Sequence, residues 1–245
     1  MIHSAYTRYI PGSRCAVLMI HGIAGTPAHF RDLQPLVPED WSVYNILLDG
    51  HGKQVEDFAR TSMARWKKQV ADQVDLLLDR HEKVLIVAHS MGTLFAMEQA
   101  NRHPGRICRL FLLNPPLQVH VKGTAMVNSV LVATDRAKPG TAAHTMARST
   151  GIQMTPRLWK YLSWSPRFLE LLQQIRLTRR EVPRLQVPCD CFLSKHDELV
   201  SLRSAEYLQN PHIRITLLPN SSHYGYSPED TRLLQESFQD ILASM

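Results

Sequence analysis

Val84-Leu85-Ile86-Val87-Ala88-His89-Ser90-Met91-Gly92 is an apolar run of strand length that passes through a serine into a helical pattern, where Leu94, Met97 and Ala100 recur on one side. A serine at such a junction occupies a sharp strand-to-helix turn. That turn lifts its hydroxyl above a sheet and sets the following amides at a helix N-terminus. Small residues are needed two before and two after, because the neighbouring backbones approach closely. Gly92 meets the demand, and Ala88 meets it with one extra methyl. Taken alone, these five residues also fit a plain helix N-cap at Ser90.

Outward from this junction, similar runs recur at Ala16–Ile20, Val43–Leu48, Leu110–Leu113, Cys189–Leu193 and Ile213–Leu217, and Ala5–Ile10 could supply a short early strand. Most are continuous rather than alternating, as strands covered on both faces should be. Between them lie helical patterns, clearest from Met63 to Arg80, which sets Trp66, Val70, Val74, Leu77 and Leu78 on one stripe. The alternation predicts an α/β fold: a mostly parallel, doubly wound sheet with helices on both faces, and a site at the carboxyl ends of the strands. From about 117 to 186 the only regular signals are helical, so a helical cap insertion is expected there. Within it, Ser165-Pro166 reads as N-cap and N1 of a helix carrying Phe168, Leu171, Leu172 and Ile175 on its apolar face. The 245 residues suit one domain, 1–245, with the insert as decoration.

A serine hydroxyl at neutral pH is a poor nucleophile and needs a histidine base, itself oriented by a carboxylate. In this topology the expected chain order is Ser, acid, His. Asp197 follows the fifth of the apolar runs from Ala16 onward and His223 the sixth, each just past a strand's carboxyl end. Ser90, Asp197 and His223 are therefore the candidate catalytic residues. The bland alternatives are a surface turn or helix cap at Asp197 and a solvated loop at His223. An oxyanion would need two backbone donors. One is the Met91 amide, next after the nucleophile, and the other is the Ile23 amide in the turn His21-Gly22-Ile23-Ala24-Gly25. That turn carries neither glycine-rich phosphate motif, so no nucleotide cofactor is implied. His51 reads as a structural hydrogen-bonding residue under this loop. His89 should point away from Ser90, into packing or the pocket edge. Asp49 precedes Ser90, against the order expected of the acid.

On His21-Gly22-Ile23-Ala24-Gly25, Asp49-Gly50-His51-Gly52, Ala88-His89-Ser90-Met91-Gly92, Asp197 and His223, nearly the whole chain resembles the α/β-hydrolase family, within it the small capped carboxylesterases and monoglyceride-lipase-like enzymes. The resemblance implies a serine esterase with Ser90 as nucleophile, Asp197 as acid, His223 as base and the Ile23 and Met91 amides as oxyanion hole. Its substrates would be carboxylic esters, monoacylglycerol-like ones among them, cleaved through an acyl-enzyme without a cofactor. A thioesterase or acyltransferase would use the same triad, and a non-catalytic binding protein could sit on the same fold.

Composition bounds the rest. With 44% hydrophobic and 20% charged residues the chain is an ordinary globular protein, which leaves no room for collagen, coiled-coil or disordered readings. No apolar run approaches the ~20 residues of a membrane span. The first residues lack a signal-peptide pattern, so a soluble, cytoplasmic protein is expected. Cys15, Cys108, Cys189 and Cys191 lie in or beside strand-like runs and read as free buried thiols. Twelve histidines show no metal-ligand spacing, so no metal is expected. The net charge of +6 maps onto one segment: residues 117–186 hold 11 Lys and Arg against 3 acidic residues, while the remainder holds 17 against 19. Without a binding motif this does not argue for nucleic acid. It does put a positive field beside the site, suited to an anionic or lipid-like ester.

Overall fold

The computed structural model describes residues 3–245. Seven strands form one sheet: β1 (Tyr6–Arg8), β2 (Cys15–Ile20), β3 (Ser42–Ile46), β4 (Lys83–His89), β5 (Ile107–Leu113), β6 (Cys189–Ser194) and β7 (Ile213–Leu218). Their spatial order is β1-β3-β2-β4-β5-β6-β7, with β1 antiparallel to β3 and every other pair parallel. The chain runs outward from β2 through β3 on one side and from β4 through β5 to β7 on the other. The order therefore reverses between β2 and β4, and the crevice at their carboxyl ends is where a site is expected. Each expected run is a strand, and the first is the short antiparallel β1.

Alternate strand residues feed two cores. Leu18, Ile20, Ile86 and Leu112 pack under α1 (Val55–Arg60), α2 (Met63–Arg80) and α3 (Met91–Arg102), while Val17, Met19, Val87 and Phe111 pack under α7 (Pro228–Ala243). The α2 stripe predicted from sequence is buried as a unit, and Ser62 caps the helix by accepting the Arg65 amide at 3.2 Å.

Between β5 and β6 the chain is helical: α4 (Gly123–Ala133), α5 (Ala142–Ser149), a 3₁₀ turn Leu158–Trp164 and α6 (Ser165–Glu181). Two local expectations fail here. Ser165 is not an N-cap; it lies inside the helical run entering from the 3₁₀ turn, and its hydroxyl donates back to the Leu162 carbonyl at 2.7 Å. Phe168 and Leu172 are exposed, because α6 rests on α2 and α3 through a part-polar face of Leu171, Gln174, Ile175 and Thr178. The Gln174 amide bonds Thr178 on its own helix and bridges Lys67 and Glu98 on the supporting helices, which draw the buried face away from the apolar stripe.

The segment is keyed into the sheet end at Gly151, whose amide donates to the Ala24 carbonyl at 2.8 Å while its own carbonyl accepts the Gly52 amide. A side chain at 151 would collide with the Gly25 carbonyl. A second close approach lies at Gly92, where a Cβ would strike the Ile20 carbonyl oxygen and stand 2.9 Å from that of His21. Gly92→Ala should therefore cost about 1–3 kcal/mol of unfolding free energy in urea. A loss under ~0.5 kcal/mol would mean that α3 tolerates displacement from β2.

Candidate active site

Ser90 sits at the end of β4 with φ 50° and ψ −123°, a conformation that a non-glycine residue keeps only where its surroundings over-determine it. Its amide donates to the Leu113 carbonyl at 2.9 Å, and its carbonyl accepts both the amide (2.9 Å) and the hydroxyl (2.7 Å) of Thr93. Gly22 presses on it from the other side: a Cβ there would stand 2.8 Å from the Ser90 Cβ. Ser90 thus stands directly past the carboxyl end of β4, one residue before the start of α3. Met91, as first residue of α3, has an amide without an intrahelical acceptor.

The loop after β2 is shaped by His21. The Leu48 amide donates to its Nε2 at 3.1 Å, so the proton rests on Nδ1, which donates to the Gly22 carbonyl at 2.8 Å. The Gly25 amide donates to that same carbonyl at 3.0 Å and closes a turn with Ile23 inside it, its own amide left out of the turn's bond. His51 supports this loop as expected, edge-on to His21 at 4.7 Å, with its Nδ1 3.2 Å from the carbonyls of Leu48 and Asp49. Asp49 is engaged elsewhere, accepting from Thr61 at 3.0 Å and pairing with Arg65 at 3.2 Å.

Asp197 and His223 meet above the ends of β6 and β7. His223 Nδ1 lies 2.7 Å from Asp197 Oδ2, with both side chains under 5% exposed. The other carboxylate oxygen of Asp197 accepts the Leu199 amide (2.7 Å) and the Val200 amide (2.6 Å). One oxygen is thus taken up by the loop amides, and the other holds the ring. Neither residue is the surface turn or solvated loop residue of the bland readings.

His89 does more than packing. Its Nε2 lies 3.2 Å from the His223 carbonyl oxygen, and its ring stacks on His29 at 3.6 Å. His29 in turn reaches the Tyr226 hydroxyl at 3.0 Å. His29, Glu198 and Tyr226 escaped the sequence reading because their roles arise only when distant loops meet. The one available signal was the adjacency of His89 to Ser90 and of Glu198 to Asp197.

Burial lowers the pKa of His21 and His89 well below the imidazole value and that of His51 to about 4; neighbouring histidines add to the effect at His21 and His89. These rings fold neutral, and the unfolded chain takes up protons that the folded chain refuses. Stability is then fully present above pH ~6.5 and falls as the pH drops below it. For His51 alone the loss at pH 5 is about 2 kcal/mol, and His21 and His89 add in the same direction. Urea unfolding at pH 7 and pH 5 checks this, and equal midpoints would contradict it.

A strained serine elbow at the sheet's switch point, with a buried Asp–His pair over the neighbouring strands, is the arrangement of an α/β hydrolase. Residues 17–234 match the alpha/beta hydrolase family, and the chain belongs to it. Among known proteins it is similar to the thermostable monoacylglycerol lipase of Bacillus sp. (strain H-257), 23% identical over 96% of this chain and 93% of that protein. A shorter stretch, 42% of this chain and 37% of the other, is 33% identical to the pimeloyl-[acyl-carrier protein] methyl ester esterase of Neisseria meningitidis serogroup B. Among solved structures, one of the metagenome-derived lipolytic enzymes LipS and LipT superposes with a TM-score of 0.77 at 19% identity, over 100% of this chain and 98% of that one. The monoacylglycerol lipase of Paleococcus ferrophilus gives 0.69 at 16% identity, over 98% of each chain.

Proposed function

We propose that this protein is a serine hydrolase that cleaves carboxylic esters through an acyl-enzyme. The observation that carries the reading is the buried His223–Asp197 contact of 2.7 Å, taken together with a serine held in a strained elbow at the end of β4. Ser90 Oγ attacks the ester carbonyl and its proton passes to His223 Nε2, while Asp197 holds the ring by Nδ1–H and balances the imidazolium. The carbonyl electrons move onto oxygen, which receives the Ile23 and Met91 amides. Collapse expels the alcohol, which takes the proton from His223. Water, deprotonated by the same ring, then releases the acid and restores Ser90. The monoacylglycerol lipase from Bacillus, matched along nearly its whole length, supports an acylglycerol or similar acyl ester as substrate.

The helical segment between β5 and β6 serves as the cap in this reading. Its Gly151 abuts the turn bearing Ile23, and its Ser149 hydroxyl donates to the Tyr224 carbonyl beside His223 at 3.0 Å, so it spans both loops that flank Ser90. Of its large apolar residues, Trp164 and Tyr161 pack inward, whereas Trp159 and Leu162 are exposed. Together with the basic excess of residues 117–186, this outward apolar surface favours an anionic or lipid-borne ester.

Ser90→Ala should lower kcat by about 10⁴-fold or more and abolish fluorophosphonate labelling without loss of folding. Full labelling of that variant would refute the assignment. Adding His223→Ala to Ser90→Ala should cost almost nothing further, since the base serves only that hydroxyl. For matched anionic and neutral esters, kcat/KM should fall with salt only for the anionic one, because exposed charges are screened over ~10 Å at 0.1 M. Equal salt dependence would leave the basic segment without a part in substrate capture.

A further inference from the structure

We propose that His89 and Glu198 are positioning residues that grip the main chain of His223 from its two sides and set the base in register with Ser90 and Asp197. The proposal rests on reading His223 as the general base. The His223 carbonyl faces His89 Nε2 at 3.2 Å, and its amide donates to Glu198 Oε2 at 3.0 Å. A carbonyl oxygen only accepts, so His89 must carry its proton on Nε2. Each gripping residue directly adjoins one of the other two members of the triad: His89 precedes Ser90 and Glu198 follows Asp197.

The other side-chain bonds within residues 221–227 shape that loop but do not index it to the nucleophile. Ser221 Oγ donates to Asp230 at 2.6 Å and accepts the Ser227 amide at 3.2 Å, and the Ser222 amide donates to the Gly225 carbonyl at 2.9 Å. Main-chain pairing adds one tie to the acid loop, from the His196 amide to the Ser221 carbonyl at 3.0 Å. His89 alone joins His223 to the strand end that carries Ser90. Its ring is braced by the stack on His29 (interplanar angle 24°), and His29 is bonded to Tyr226 three residues beyond the base. Glu198 is itself steadied, since its carbonyl accepts the Lys122 amide at 3.0 Å and the Lys122 ammonium donates to the adjoining Asp197 carbonyl at 2.7 Å. His223 is thus fixed at its amide, carbonyl and ring by three side chains from two strand ends.

Displacing a reacting group by about 1 Å can cost ~10²-fold in rate. His89→Leu removes the donor, and His89→Gln keeps an N–H that reaches the same carbonyl. For Glu198 the corresponding pair is Ala and Gln. With a short-chain nitrophenyl ester, His89→Leu should lower kcat ~10–100-fold with KM within about twofold, and His89→Gln should recover kcat to within about fivefold. Glu198→Ala and Glu198→Gln should differ in the same sense. Proton NMR supplies a reading that does not depend on turnover: the downfield His223 Nδ1–H resonance should be sharp in the wild type and His89→Gln and broadened or lost in His89→Leu. Equal kcat losses in the Leu and Gln variants that track Tm would reduce His89 to packing and overturn the proposal, as would an unchanged kcat and resonance in His89→Leu. Wild-type protein that neither turns over esters nor takes up fluorophosphonate would instead defeat the hydrolase reading, and the resonance would still decide the clamp.

Discussion

The contact on which the site depends is the near touching of two backbones, where the first turn of α3 lies on the end of β2 at Gly92. Because no side chain intervenes, the helix starts directly above the sheet and Ser90 is forced into positive φ between them. The same crowding admits only glycine at 22, which brings the Ile23 turn against the serine. Ser90 and both candidate amide donors are therefore located by sterics rather than by hydrogen bonds to the hydroxyl. The strain is offset by the continuous apolar sheet beneath, whose central strands β2 and β4 are almost wholly excluded from water.

A second constraint is charge. Four histidines, His21, His29, His51 and His89, surround the crevice, and in the reading proposed for His223 a proton on any of them would oppose the charge that a base at this position would take up. Loss of water around these rings keeps them neutral and frees them to act as oriented donors and acceptors. His223 differs in having a carboxylate at hydrogen-bond distance. Among these rings the candidate base is thus set apart from the scaffold by the carboxylate placed beside it.

Much of this was legible in the residues. Continuous apolar runs told of a sheet covered on both faces, the stripe in α2 told which side turns inward, and Ser90, Asp197 and His223, each just past a strand's end, marked the candidate site. Local signals failed where a partner from elsewhere decided the outcome. Ser165-Pro166 carries every mark of a helix start, yet the preceding 3₁₀ turn had already begun the spiral. On α6 the apolar pattern pointed one way, and Gln174, drawn to Lys67 and Glu98, turned the helix another. In β6, Asp190 interrupts an otherwise apolar run and is buried because Arg109 and Arg214 on the flanking strands neutralise it. His29 and Tyr226 left no trace, since periodicity cannot report which loops will meet above a sheet.

The crossing at Gly151 bears on how this protein can vary. The excursion between β5 and β6 is not a detachable module. Here the excursion is locked in by a three-way backbone junction, Ala24 to 151 to Gly52, with no space for a side chain against Gly25. A transplanted helical segment lacking a glycine at this point would push on the very turn that holds the Ile23 amide, whatever pocket it was meant to build. Altering substrate preference by segment exchange is therefore bounded by a single residue, and recombination points placed within 152–186 would keep the junction while those that replace it would not.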